Sequence, residues 1–309
     1  NVAVGNNALD ANTTGSANVA LGYQALTTDT KGSRSVAVGF SALRFQANTS
    51  AVETYNVAVG HAAGEAVTTG VKNTLIGGLA GDANTTGNQN TALGSRALSA
   101  NTTADNNTAV GEAALIANTT GSQNTAVGSQ AGVALTTGGN NTAVGFEALK
   151  NEDAHGNNTA IGTQTLFALN AGADGLNTAV GYQTGAAVTT GVHNTFVGAL
   201  TGDGTDDGNR NTAIGYFTLS GNCGDDNTAV GENSLFAVTG SKNTGLGGNS
   251  GEAITSGSNN MCLGFEAGVT GSPGGNLTTS SDSIRVGDEN VTNCHIQVDW
   301  TVASDARDK

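Results

Sequence analysis

Few residues in this chain could do covalent or metal chemistry, and their spacing does not bring them together. The four histidines, His61, His155, His193 and His295, are isolated, and no Ser–His–Asp or paired-carboxylate pattern is legible around them. Acyl transfer and glycoside hydrolysis therefore lack their working groups. Cys223, Cys262 and Cys294 have no metal-ligand spacing and read as packed or exposed thiols. The densest charge is acidic: Asp203, Asp206, Asp207, Asp225 and Asp226 fall in one Gly-rich stretch. Carboxylates and carbonyls of such turns can hold calcium. The spacing is neither the nonapeptide of calcium β-rolls nor a calcium-hand loop, so solvated turns are the expectation. No metal and no cofactor is expected anywhere. One candidate binding surface is left, the aromatic set Tyr23, Phe40, Phe146, Tyr182, Tyr216 and Phe265. Exposed rings can stack on sugars. The reading we prefer is that they cover neighbouring turns or a subunit seam.

Those aromatics occupy one place in a repeat, and the repeat must position everything else. Near-copies of Asn124-Thr-Ala-Val-Gly128 recur seventeen times, with the glycine at 5, 22, 39, 60, 77, 94, 111, 128, 145, 162, 181, 198, 215, 231, 247, 264 and 287. Most gaps are 17 residues; the others are 21, 19, 16, 16 and 23. A fixed short period is the mark of a solenoid. Numbering each unit from its first residue, position 1 is Asn in 15 units and Ser in two (Ser35, Ser283). Position 2 is β-branched in every unit except that of Met261, position 3 is mostly Ala, and position 4 is Val, Leu or Ile. This predicts a short strand with positions 2 and 4 on a buried face and Ala turned the other way, towards something close. The invariant glycine at position 5 (Gly5, Gly22, Gly94, Gly111, Gly128, Gly145 among others) predicts a positive φ, or a backbone approach with no room for a Cβ. The recurring Asn predicts a hydrogen-bonded ladder from turn to turn.

Two further positions look like alternatives. Position 9 is Leu in some units (Leu26, Leu98, Leu115) and Gly in others (Gly64, Gly132, Gly185, Gly251), and the Gly units carry an aliphatic at position 12 (Val67, Leu135, Val188, Ile254). One large apolar group per turn would then fill one interior slot, supplied from either side. The segments 82–85 and 166–169 break this trade.

Composition supports an array over a globule. The 309 residues include 47 Gly and one Pro, aromatics are 4%, and charged residues 12% with a net charge of −14. That is too little bulky apolar material for an ordinary core of this size, so each turn needs its neighbours and, we expect, other chains. Only 11 Lys and Arg are scattered along the length, which argues against nucleic acid as a partner. No apolar run approaches membrane-spanning length. The chain begins in mid-pattern without Met, and a fragment of a longer protein is expected.

Along the chain, the repeat shaft covers 1–268, with a four-residue enlargement at 44–55 and a two-residue one at 168–176. Residues 269–282 read as a Gly/Ser/Thr linker. Residues 283–303 hold a last degenerate unit and a neck strand over 295–302, with Ile296, Val298, Trp300 and Val302 on one face.

The repeat Asn-Thr-Ala-Val-Gly-x-x-Ala resembles the Asn-Ser-Val-Ala-Ile-Gly repeat of trimeric autotransporter adhesin heads. It is closer to the Asn-Thr-Ala-Ile-Gly arrays of phage tail-fibre proteins. The first resemblance implies a parallel β-roll in which three chains share a core, though the period here is longer. The last six residues, Ser304-Asp-Ala-Arg-Asp-Lys309, resemble the Ser-Asp-x-Arg-x-Lys junction that opens the endosialidase-type intramolecular chaperone of phage fibres and spikes. That resemblance implies a domain that promotes trimerisation and then cleaves itself off at Ser304-Asp305, with Ser304 the nucleophile and Lys309 its activating amine, in a full-length precursor only.

The expected fold class is therefore all-β: a repetitive parallel β-solenoid of about 17-residue turns, intertwined as an elongated homotrimeric fibre. The expected function is the structural shaft of a bacteriophage tail fibre, extracellular on the virion, with fibre or baseplate proteins and a host glycan or protein as further partners. The fragment is not expected to be an enzyme or to insert in a membrane. The alternative owner is a bacterial surface adhesin with the same roll. A glycan-cleaving spike lacks a carboxylate pair. An ice-binding solenoid would need a flat, regular Thr rank, and the irregular insertions count against one.

Overall fold

The computed structural model describes residues 1–293. Cys294, His295, the neck strand expected over 295–302 and the 304–309 junction lie outside the described residues.

The repeat folds as expected into a parallel β-solenoid. Each unit contributes a strand of three residues, such as Thr108–Val110, Thr125–Val127 and Thr142–Val144, and seventeen such strands form one parallel sheet. Pairing is in register at every step: Thr125 faces Thr108 on one side and Thr142 on the other, with Ala126 and Val127 keeping the same order. The enlargements do not disturb it. Val36 still pairs with Val57 across 44–55, Thr159 with Thr178 across 168–176, and Met261 with Ile284 across the longest gap. The first enlargement adds a small pairing of its own, Gly32–Ser33 with Val52–Glu53. Residues 269–282 form the last, widest turn, and Leu277 from it is buried in the core.

The orientation of the strands corrects the expectation. Position 3 faces the interior: Ala20, Ala37, Ala58, Ala92, Ala109, Ala126 and Ala160 are fully buried. Positions 2 and 4 face outward, and Val127 is 36% and Leu246 50% exposed in the single chain. The reason is the width of the coil. A 17-residue turn closes on so narrow an interior that it holds one large group per turn; where the opposite wall supplies it, the strand wall offers only a methyl group.

That bulk comes from three places. Leu at position 9 fills the slot in most units, and Leu26, Leu43, Leu98, Leu115 and Leu149 are fully buried. Where position 9 is Gly, a Cβ built there would meet the substitute: at Gly132 it falls 2.9 Å from Leu135 Cδ1, and at Gly64 3.3 Å from Val67 Cγ2. In the units that break the trade between positions 9 and 12, the substitute is position 3 itself. A Cβ on Gly81 would lie 2.7 Å from Leu75 Cδ2, and one on Gly202 2.8 Å from Phe196 Cε2. The 166–169 segment differs, since Leu166 and Leu169 are both buried beside the widened turn.

Position 9 has a left-handed backbone whether it carries Leu or Gly: φ is 50° at Leu115 and 57° at Gly132. Gly suits this conformation, whereas Leu costs strain that its burial offsets.

Candidate functional site

Three features run the length of the described coil: an internal polar ladder, an outward apolar strip and the rank of turn glycines.

The ladder is built from position 1. Asn124 is buried, and its Oδ1 accepts the backbone N–H of Asn141 at 2.9 Å. Its Nδ2 donates to the carbonyl of Gly138 at 2.8 Å. The same pair of bonds recurs at Asn18, Asn73, Asn90, Asn107, Asn177, Asn194, Asn227 and Asn243. Each amide thus satisfies one donor and one acceptor of the backbone where the chain turns from loop to strand, so these groups can be buried without water. A second, shorter ladder follows position 12, where Asn101 Nδ2 donates to Asn84 Oδ1 at 3.0 Å.

At position 5, Gly128 has φ +137°, and a Cβ there would sit 2.4 Å from the carbonyl oxygen of Gly145. Gly5, Gly22, Gly94, Gly111 and Gly145 repeat this geometry against the next unit's glycine. Both expected reasons for glycine hold at once. Position 8 has a matching role in later units, where the hydroxyl of Thr165 donates to Gly181 O at 2.6 Å and that of Thr218 to Gly231 O at 2.5 Å.

The outward face of the sheet carries two in-register ranks. From Thr74 to Thr244, position 2 is Thr in eleven successive strands, and within the described residues none of these hydroxyls has a hydrogen-bond partner. Beside it runs the aliphatic rank of position 4, of which Leu21, Leu93, Val127, Ile161, Ile214 and Leu246 are exposed. The position 6 aromatics border this rank. All six (Tyr23, Phe40, Phe146, Tyr182, Tyr216, Phe265) are exposed, at 45–57%. Tyr23 stacks on Phe40 at 5.2 Å and Phe40 on His61 at 5.3 Å, ring over ring from turn to turn. The Phe265 ring lies over Gly248, and Tyr216 packs edge-on against Phe217 at 4.5 Å. Tyr23 and Phe40 thus lose ring faces to each other, whereas Phe146 and Tyr182 have no ring partner among the described residues.

The groups with chemical potential are mostly accounted for. Cys223 and Cys262 are buried free thiols, each pushed up to about 11 by burial, and are inert at neutral pH. In the acidic stretch, Asp225 and Asp226 pair with Arg210 across one turn at 2.9 and 2.7 Å. The Arg210 guanidinium holds the Asp226 carboxyl below its usual range. Asp203 is raised by burial. Asp225 and Asp226 thus brace a turn, whereas Asp203 Oδ1 has no partner among the described residues. A group that sequence spacing did not mark is Glu152, Asp153 and His155, whose ligand atoms lie within 4.8 Å of one another. Consecutive acids read as a solvated turn, and only the fold turns them to one point. No helix among the described residues is long and apolar enough to cross a membrane.

No family model, no curated protein and no solved structure matches the chain.

Proposed function

We propose that the chain is the shaft of a homotrimeric fibre of the bacteriophage tail-fibre kind, which projects or forms a host-attachment element outside the cell. The observation that carries this reading is the outward strip of positions 4 and 6. An aliphatic rank bordered by aromatic rings, in register over the length of a rod, is the kind of surface that identical rods cover in one another. The strands stack at ~4.8 Å, so seventeen make a rod of roughly 80 Å. The resemblance of the repeat to trimeric adhesin heads supports three chains, and the scarcity of Lys and Arg argues against nucleic acid as a partner.

Sedimentation equilibrium tests the assembly: a trimer is expected, and a stable monomer would remove it. The tail-fibre and surface-adhesin owners separate on the full-length gene. In the tail-fibre reading, Lys309 takes the proton of the Ser304 hydroxyl, whose oxygen attacks the carbonyl of the Ser304-Asp305 peptide bond; after assembly that C–N bond breaks, the Asp305 amine leaves with the proton from Lys309, and water hydrolyses the ester. The parent should yield a shortened fibre and a released C-terminal piece, while Ser304→Ala stays whole and still forms trimers. Two uncleaved products of equal mass would bring the adhesin reading level.

One observation favours a second reading. The eleven-strand Thr rank is regular, and the insertions that counted against it lie in turns and leave the strands in register. A monomer would leave this rank open to ordered water and to ice, and thermal hysteresis of the protein solution would then be the measurement to make.

A further inference from the structure

We propose that Glu152, Asp153 and His155 form a binding site for a first-row transition dication, zinc in the first instance, at the turn that faces the 168–176 enlargement. Glu152 stands at position 12, where sister units place Asn84, Asn101 or Asn118. Those amides donate to a neighbouring carbonyl or amide oxygen, as Asn118 Nδ2 does to Gly121 O at 2.9 Å. A carboxylate has no hydrogen to give. Glu152 is nonetheless fully buried, its Oε1 accepting the N–H of His155 at 3.0 Å and its Oε2 that of Ala171 at 3.2 Å.

Among the described residues no Lys or Arg pairs with it. The nearby Lys150 ammonium is held by Glu147 at 2.5 Å and lies over the Phe167 ring. What faces Glu152 is the imidazole: His155 Nδ1 is 3.4 Å from Glu152 Oε1, shielded from solvent and without a hydrogen-bond partner. The Asp153 carboxylate completes the group, all three ligand atoms lying within 4.8 Å of one another. One imidazole nitrogen and two carboxylate oxygens suit zinc and its neighbours, whereas calcium and magnesium take all-oxygen shells.

The other enlarged turn supplies the contrast. Asp29 is also a buried position 12 acid, and its Oδ1 likewise holds a backbone N–H of the enlargement, that of Asn48 at 3.1 Å. Its Oδ2, however, receives the Gln46 amide at 2.6 Å. Both acids accept two backbone N–H groups; Asp29 has the Gln46 amide besides, where Glu152 has a lone imidazole nitrogen and a second carboxylate. Backbone bonds brace the ligands in advance. The His155 carbonyl accepts Asn141 Nδ2 at 3.1 Å, and Gly156 N–H reaches Asp174 Oδ1 at 3.0 Å in the enlarged turn. All three ligands belong to one turn, so bound metal would fix that turn, on which the enlarged one rests through the Ala171 N–H to Glu152. Asp153 and His155 are half-buried and leave a route in.

The test is a zinc titration of the chelator-stripped 309-residue chain against a chromophoric chelator. One zinc per chain is expected, with affinity reduced more than about tenfold in His155→Ala and in Asp153→Asn, unchanged in His61→Ala and His193→Ala, and not competed by excess calcium or magnesium. X-ray absorption of the zinc-loaded parent should report one imidazole nitrogen with oxygen ligands, and it decides the matter even where a variant fails to fold. No zinc bound by the parent, undiminished binding in both variants, or a histidine-free zinc shell would each overturn the proposal.

Discussion

The side-chain oxygen of Asn124 receives the backbone N–H of Asn141, exactly one unit further on, at 2.9 Å, while its amide reaches Gly138 O at 2.8 Å. Asn124→Leu would retain the volume and remove both bonds, leaving a buried donor and a buried acceptor unpaired. A loss of roughly 2–5 kcal/mol per chain is expected. Urea denaturation gives the size, and amide hydrogen exchange at Asn141 gives the place. Unchanged protection there would mean that the ladder does not hold the turn.

Gly128 and Gly78 form a matched pair. Gly128→Val places a β-branched residue at φ +137° against the Gly145 carbonyl, whereas a Cβ on Gly78 meets nothing within 4 Å. Gly128→Val should lower the melting temperature steeply, by the several kcal/mol that a blocked backbone contact costs, and Gly78→Ala should change stability by less than about 0.5 kcal/mol. Equal melting temperatures for the two variants would contradict the steric account.

The interior slot predicts a compensating pair. Gly132→Leu overfills the slot against Leu135 and Leu115 and should cost about 1–3 kcal/mol. Leu135→Asn empties it and should cost about 2–5 kcal/mol. Together they recreate the arrangement of the preceding turn, Leu115 with Asn118, so the double variant should be more stable than the sum of the singles by at least about 1 kcal/mol. Strict additivity would show that positions 9 and 12 do not share a slot.

Val127→Asp separates the fold of one chain from assembly. Val127 is partly exposed in the single coil, so a charge there is tolerable in a monomer and expensive in a covered seam. Dissociation with retained β-sheet circular dichroism is the expected result. An intact trimer would place the seam on another face.

Asp82 offers a pH test. Its carboxyl is raised mainly by burial, and its Oδ1 has no partner. A raised folded-state value means that the folded chain holds the proton more tightly than the unfolded chain. The resulting stability is fully present below the ordinary Asp range, near 3.8, and is lost as pH rises through the folded value. Asp82→Asn should therefore be the more stable variant at pH 7, with the advantage shrinking towards pH 4. An advantage that grows on acidification would reverse the sign and refute this reading of burial.

Much of the fold was legible because the chain compares itself with itself. Asn at position 1 and Gly at position 5 tolerate almost no replacement, and each holds the backbone of an adjacent turn. The direction of the strand was not legible. Alternation in Thr125-Ala-Val127 says that two faces differ, and bulk normally marks the buried one. Here the narrow coil buries the methyl of Ala126 and turns Val127 out. The left-handed backbone at Leu115 was hidden for a related reason, since Leu avoids that conformation unless burial compensates it. The Glu152, Asp153 and His155 group was not legible because Glu152 and Asp153 are neighbours in the chain, and only a tight turn aims consecutive side chains at one point.

The bonds of Asn124, the carbonyl met by Gly128 and the strand pairing of Ala126 all end on the turn next door. Length in such a molecule is a matter of copy number. An in-frame duplication of one seventeen-codon unit would add one strand spacing and leave every other contact as it was. The gene could thus lengthen or shorten its product by unequal recombination between near-identical repeats, without inventing a new fold at any step.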